Sequence, residues 1–96
     1  MDNLYYVRNC GCDDETTGLV RISDKDFPKF KTFIENLNKN STYGCMPTIF
    51  VYKIVDEALI REATDEDADY KCLYLDDKVY VTTGYIPCEE GVEQVI

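Results

Sequence analysis

"TIFVYKIV", residues 48–55, is the stretch whose reading decides the fold. Only Lys53 interrupts a run of β-branched and aromatic side chains. A strand with one wet face alternates apolar and polar residues, whereas a near-continuous apolar run marks a strand covered on both faces. Residues 48–55 are therefore expected to form the central strand of a sheet.

Immediately upstream, "SDKDFPKFKTFIENLNKN" (23–40) changes period. Phe27, Phe30, Phe33, Ile34 and Leu37 recur at steps of three and four, which places them on one face of a helix. Ser23 or Asp24 caps its start, and Asp26 three residues after Ser23 completes a capping box. Pro28 belongs in the first turn, where its missing N–H costs nothing. Asn38 and Asn40 tolerate the left-handed conformation that ends helices. Before the helix, "LYYVRNC" (4–10) reads as a first strand and "GLVRIS" (18–23) as a second returning along it, joined by turn chemistry in "GCDDETTG".

Downstream, Ala58, Leu59 and Ile60 anchor a short helical turn. "YKCLYLDDKVYVTT" (70–83) reads as a hairpin around Asp76-Asp77, pairing Leu75 with Lys78, Tyr74 with Val79 and Cys72 with Val81. Of its two faces, the one carrying Tyr70, Cys72, Tyr74, Val79 and Val81 is expected to face the core. "GYIPCEEGVEQVI" (84–96) reads as irregular chain or an edge strand, since Pro87 has no place in a central one. The sum is an α+β fold: a small antiparallel or mixed sheet of about five strands with one main helix packed on one face, in a single domain spanning 1–96.

Charge is placed unevenly. Residues 1–55 hold seven acidic and seven basic side chains, net zero; residues 56–96 hold twelve and three, net −9. Within "DEALIREATDEDAD" (56–69) seven acids face one base. Such a surface repels nucleic acid and anionic membranes, whose binding rests on Lys and Arg, and it attracts and steers a basic protein partner. Asp56, Glu57, Glu62, Asp65, Glu66, Asp67 and Asp69 are the candidate contact carboxylates, with Tyr70 as an aromatic anchor.

Catalysis has little to work with. The chain contains no histidine, the usual general base near neutral pH. Five cysteines, Cys10, Cys12, Cys45, Cys72 and Cys88, lack the spacing of zinc knuckles, and no Ca²⁺ loop, phosphate-binding loop or dinucleotide fingerprint is present. The expectation is a non-enzymatic protein with no cofactor or metal, with Cys72 in the core. The N-terminus, "MDNLYYVRNC", has no signal-peptide pattern, so the cell interior is expected.

The loop "NKNSTYGCMPT" (38–48) supports a second function. Ser41, Thr42, Tyr43 and Cys45 offer hydroxyls, a thiol and an aromatic ring, and Lys25 and Lys29 lie among the cations of residues 1–55. Together they suggest a sponge for a nucleotide signal, which a melting-temperature screen against nucleotides tests directly.

Small size, an acidic run in "DEALIREATDEDAD" and abundant tyrosine together resemble the compact anti-defence inhibitors that phages encode, of the anti-CRISPR type. That resemblance implies a stoichiometric intracellular inhibitor whose partner is a nuclease or CRISPR effector with a basic surface.

Overall fold

The computed structural model of the chain describes residues 2–11, 15–39 and 48–96. Among them are seven strands and one α-helix. Strands β1 (Asp2–Cys10), β2 (Glu15–Ser23), β3 (Thr48–Ile54) and β7 (Val92–Gln94) form one sheet in the order β2-β1-β3-β7. Strands β4 (Ile60–Glu62), β5 (Leu73–Leu75) and β6 (Lys78–Thr82) form a second in the order β4-β6-β5. Every pairing is antiparallel. Helix α1 (Phe27–Lys39) connects β2 to β3. The fold is α+β with one main helix, and its strands divide between two sheets.

The larger sheet is the middle of three layers. Tyr5 of β1 and Val51 of β3 face the helix, packing with Ile34, Phe27 and Phe30 of α1. Leu4, Tyr6, Tyr52 and Ile54 alternate to the opposite face and pack against Leu73 of the second sheet and Ile86. Both central strands are thus covered twice, which is why residues 48–55 read as an unbroken apolar run. Val51 is fully buried. Tyr5 stacks on Phe27 with ring centroids 5.0 Å apart.

The helix starts later than a Ser23 or Asp24 cap would place it. Ser23 ends β2, and the Phe30 N–H donates to the Asp26 carbonyl at 3.2 Å, which puts Asp26 at the cap and Ser23 in the turn before it. The Asp26 N–H donates to Ser23 Oγ at 3.2 Å, and Ser23 Oγ donates to the Asp26 carboxylate at 3.0 Å. Its apolar stripe is wider than the surface it covers, however. Successive residues lie about 100° apart around a helix, so aiming Ile34 at the sheet turns Phe33 aside, and Phe33 is 60% exposed.

Three other sequence expectations need correction. Strand β2 starts earlier than "GLVRIS" suggests, at Glu15, which lies opposite Cys10. In the hairpin the pairs Leu75–Lys78 and Tyr74–Val79 form as expected, but the core face is the other one. Leu73, Leu75 and Tyr80 join the core with Ile60, while Tyr74 is 72% exposed and Tyr70 more so. Val81 is nevertheless buried on the outward face, directly opposite Arg61. Because β6 lies between β4 and β5, the connection 63–72 has to pass β6 to join them. Strand β6 carries Val79 and Val81 on one face and Tyr80 between Lys78 and Thr82 on the other, so periodicity alone favours the wrong face. Finally, Cys72 is half-buried rather than a core residue, its Sγ donating to the Ala68 carbonyl at 3.5 Å.

Among the described residues no helix is long and apolar enough to cross a membrane.

Candidate partner-binding surface

The connection 63–72 holds most of the candidate carboxylates, and one of them has an internal job. Arg61 reaches from β4 to grip both oxygens of Asp67, at 2.9 and 3.0 Å. The Thr64 N–H donates to the same carboxylate at 2.7 Å, and Thr64 Oγ1 adds a bond at 3.3 Å. Bidentate guanidinium–carboxylate pairs are short, directional and stronger than neutral hydrogen bonds. The Arg61 guanidinium, with the Thr64 amide behind it, holds the Asp67 carboxyl far below the usual carboxylate range. Backbone bonds extend the order: Asp67 N–H to Thr64 O, Lys71 N–H to Ala68 O and Cys72 N–H to Asp69 O, at 3.0, 3.0 and 3.1 Å.

Asp67 is therefore a staple, with little of its side chain exposed. Asp65, Glu66 and Asp69 are exposed, and among the described residues none of them has an ion-pair partner within 4.0 Å. Tyr70 follows at 85% exposure. The remaining candidates divide. Glu62 pairs with Lys78 across β4 and β6 at 3.5 Å. Asp56 caps the short 3₁₀ turn Glu57–Leu59, accepting from the Ala58 N–H at 3.0 Å, and Glu57 is exposed on that turn. So the structure brings Asp65, Glu66, Asp69 and Tyr70 onto one ordered segment, and assigns Asp56, Glu62 and Asp67 to local structure.

The alternative ligand residues Ser41, Thr42, Tyr43 and Cys45 lie outside the described residues. Lys25 is exposed in the turn before α1, and Lys29 lines a shallow depression with Pro28 and Phe33. Among the described residues no group of three or more potential ligands is arranged to hold a metal ion.

Sequence reasoning missed a cleft of about 450 Å³ where the two sheets meet beside this segment. Tyr6 and Leu73 are its buried lining, Tyr70 and Tyr85 its exposed aromatic walls, and Thr17 and Thr83 contribute hydroxyls. Burial pushes the Tyr6 phenol up, against a hydrogen bond with Thr17, so it remains a neutral hydroxyl. The staple had a visible signal: Thr64 followed three residues later by Asp67 is a capping-type spacing. The cleft had none, because its residues come from four separate parts of the chain.

Comparison with protein-family models, curated proteins and solved structures finds no match to this chain.

Proposed function

We propose that this protein is a non-enzymatic binding module that docks a basic surface of a protein partner onto residues 65–70. A partner that handles nucleic acid has such a surface, and occupying it would block the partner's own ligand, as an anti-CRISPR-type phage inhibitor does. The observation that carries this reading is the Arg61–Asp67 staple. An acidic run serving only solubility needs no fixed shape, and its mutual repulsion favours a mobile chain. Here one carboxylate is given up to hold the backbone while Asp65, Glu66 and Asp69 are left projecting. Ordering before contact lowers the conformational cost of binding, and unpaired carboxylates steer a basic partner over long range.

The test is capture from lysate with two baits, the native protein and an Asp65→Lys/Glu66→Lys/Asp69→Lys variant. Specific partners are retained by the first and lost from the second. They are also released as salt rises from about 0.1 M to about 1 M, where the Debye length shrinks from about 10 Å to about 3 Å. Equal retention of the same proteins by both baits overturns the reading.

A further inference from the structure

The cleft beside the acidic segment is walled by aromatic rings that already face cations. Its two exposed walls are tyrosines, and each already has a positive group over its ring. Lys71 Nζ lies 5.8 Å from the Tyr70 centroid, and the Arg8 guanidinium carbon lies 6.0 Å from that of Tyr85. These distances are within the roughly 6 Å reach of cation–π attraction. Arg8 leaves Tyr85 half exposed.

Carboxylates stand behind these walls. Arg8 is paired with Glu15, and the Glu89 carboxylate lies against Gly84, where even one added carbon would collide with it. Thr82 and Thr83 supply oxygen atoms that accept N–H donors. Among the described residues lining the cleft Lys71 alone is charged, and it is exposed and able to swing away. A net charge of −9 disfavours an anionic ligand here.

We infer that the Tyr70–Tyr85 cleft receives an arginine guanidinium of the protein partner, which displaces the Lys71 ammonium from the Tyr70 ring. A guanidinium suits the site better than an ammonium. It is planar, stacks on aromatic faces, sheds water more readily and presents several N–H donors to the threonine oxygens. The inference rests on residues 65–70 being a basic-partner surface, and Tyr70 belongs to both.

The test uses the tripeptide acetyl-Gly-Arg-Gly-amide as probe and follows backbone amide NMR signals of the whole protein. The control is the same peptide with citrulline, which keeps the shape and lacks the charge. The arginine peptide shifts the amides of Tyr70, Leu73, Thr83, Gly84 and Tyr85, and the citrulline peptide does not. Tyr85→Ala weakens binding about fivefold or more, Tyr85→Phe retains it, and Lys71→Ala tightens it, in keeping with a cation–π contribution of about 1 kcal/mol. Equal binding of citrulline, shifts confined to residues 65–69, or no effect of Tyr85→Ala in a folded spectrum each overturns the cleft assignment. Those results leave the acidic-segment reading standing if the lysine triple variant still loses its captured partners. Cleft binding that survives while the triple variant captures the same proteins as the native chain sinks the acidic-segment reading instead.

Discussion

The side-chain amide of Asn38 pairs with the backbone of Ile49 as a neighbouring strand would. Asn38 Nδ2 donates to the Ile49 carbonyl at 2.8 Å, and the Ile49 N–H donates to Asn38 Oδ1 at 2.7 Å. The outer edge of β3 explains why. Strand β7 covers it only from Tyr52 to Ile54, and the chain end continues the cover, with the Val95 N–H donating to Val51 O at 2.9 Å. Ile49, two residues on, would be left with an open edge. The last turn of α1 closes that gap with one side chain and ties the helix to the sheet.

Replacing this amide tests the edge directly. Asn38→Ala strands both polar groups of a half-buried residue and is expected to cost about 1–3 kcal/mol in urea unfolding. Hydrogen exchange at the Ile49 amide accelerates in the same variant. Asn38→Asp is at least as damaging, because it keeps the acceptor but sets a carboxylate against the Ile49 carbonyl. A loss below about 0.5 kcal/mol for both would show that the pairing carries no stability.

The reversed hairpin face makes a paired prediction. Leu73 is 7% exposed and its neighbour Tyr74 is 72% exposed. Leu73→Ala is expected to cost about 2–5 kcal/mol, and Tyr74→Ala no more than about 0.5 kcal/mol. Denaturant midpoints with a common m-value decide it. The opposite ranking would restore the face expected from periodicity.

Backbone handedness gives substitutions of opposite sign. Gly91 has φ of +78°, and an added Cβ would come within 2.7 Å of Asp56 Cβ. Its carbonyl also accepts from the Val55 and Asp56 N–H groups, at 2.8 and 3.0 Å. Gly91→Ala is expected to destabilise by more than about 1 kcal/mol. At the hairpin tip Asp76 and Asp77 have φ of 51° and 65°, the paired positive values of a tight two-residue turn that favours glycine second. Asp77→Gly is therefore expected to stabilise by a few tenths of a kcal/mol to about 1 kcal/mol, while Asp76 stays in place to pair with Arg21 of β2 at 3.5 Å. Thermal melts of the two variants should move in opposite directions.

The Asp67 staple should be visible in acid. Its folded carboxyl is held below the unfolded value of about 3.9, first by Arg61 and then by the Thr64 amide. The stability it contributes is complete above that unfolded value and declines as pH falls toward the depressed folded one. Asp67→Asn is expected to be less stable than the native chain at neutral pH, with the gap narrowing steadily as pH falls below the unfolded carboxylate value of about 3.9. Asp65→Asn, at an exposed carboxylate without an ion-pair partner among the described residues, should change stability at neutral pH by no more than about 0.5 kcal/mol. A constant difference across the range would mean that Asp67 acts through packing alone.

Much of the architecture was legible in local pattern. The strand character of β3, the helix, the short turn around Ala58 and the Asp76–Asp77 tip are each set by neighbours within a few residues. The candidate surface was legible only as charge. Counting carboxylates grouped Asp67 with Asp65 and Glu66, although one closes an internal ion pair and the others project. Arg61 read as a lone base in an acidic run, and the turn Thr64–Asp67 brings one carboxylate of that same run back to it.

The sequence by itself determined the main helix, the central strand, the asymmetry of charge and the lack of histidine, because propensity, periodicity and composition act locally or by simple sum. The short strand β4 at Ile60–Glu62, by contrast, reads from sequence as part of a helical turn. The tertiary structure decided which hairpin face is buried, which carboxylates are spent internally, what completes the edge at Ile49, and that Tyr6, Tyr70 and Tyr85 share one cleft. The buried hairpin face and the cleft depend on chain segments far apart in sequence meeting in space, and a period of two or of 3.6 carries no information about which distant segment will cover a given face; the Asp67 staple is local, but counting charges does not show its geometry.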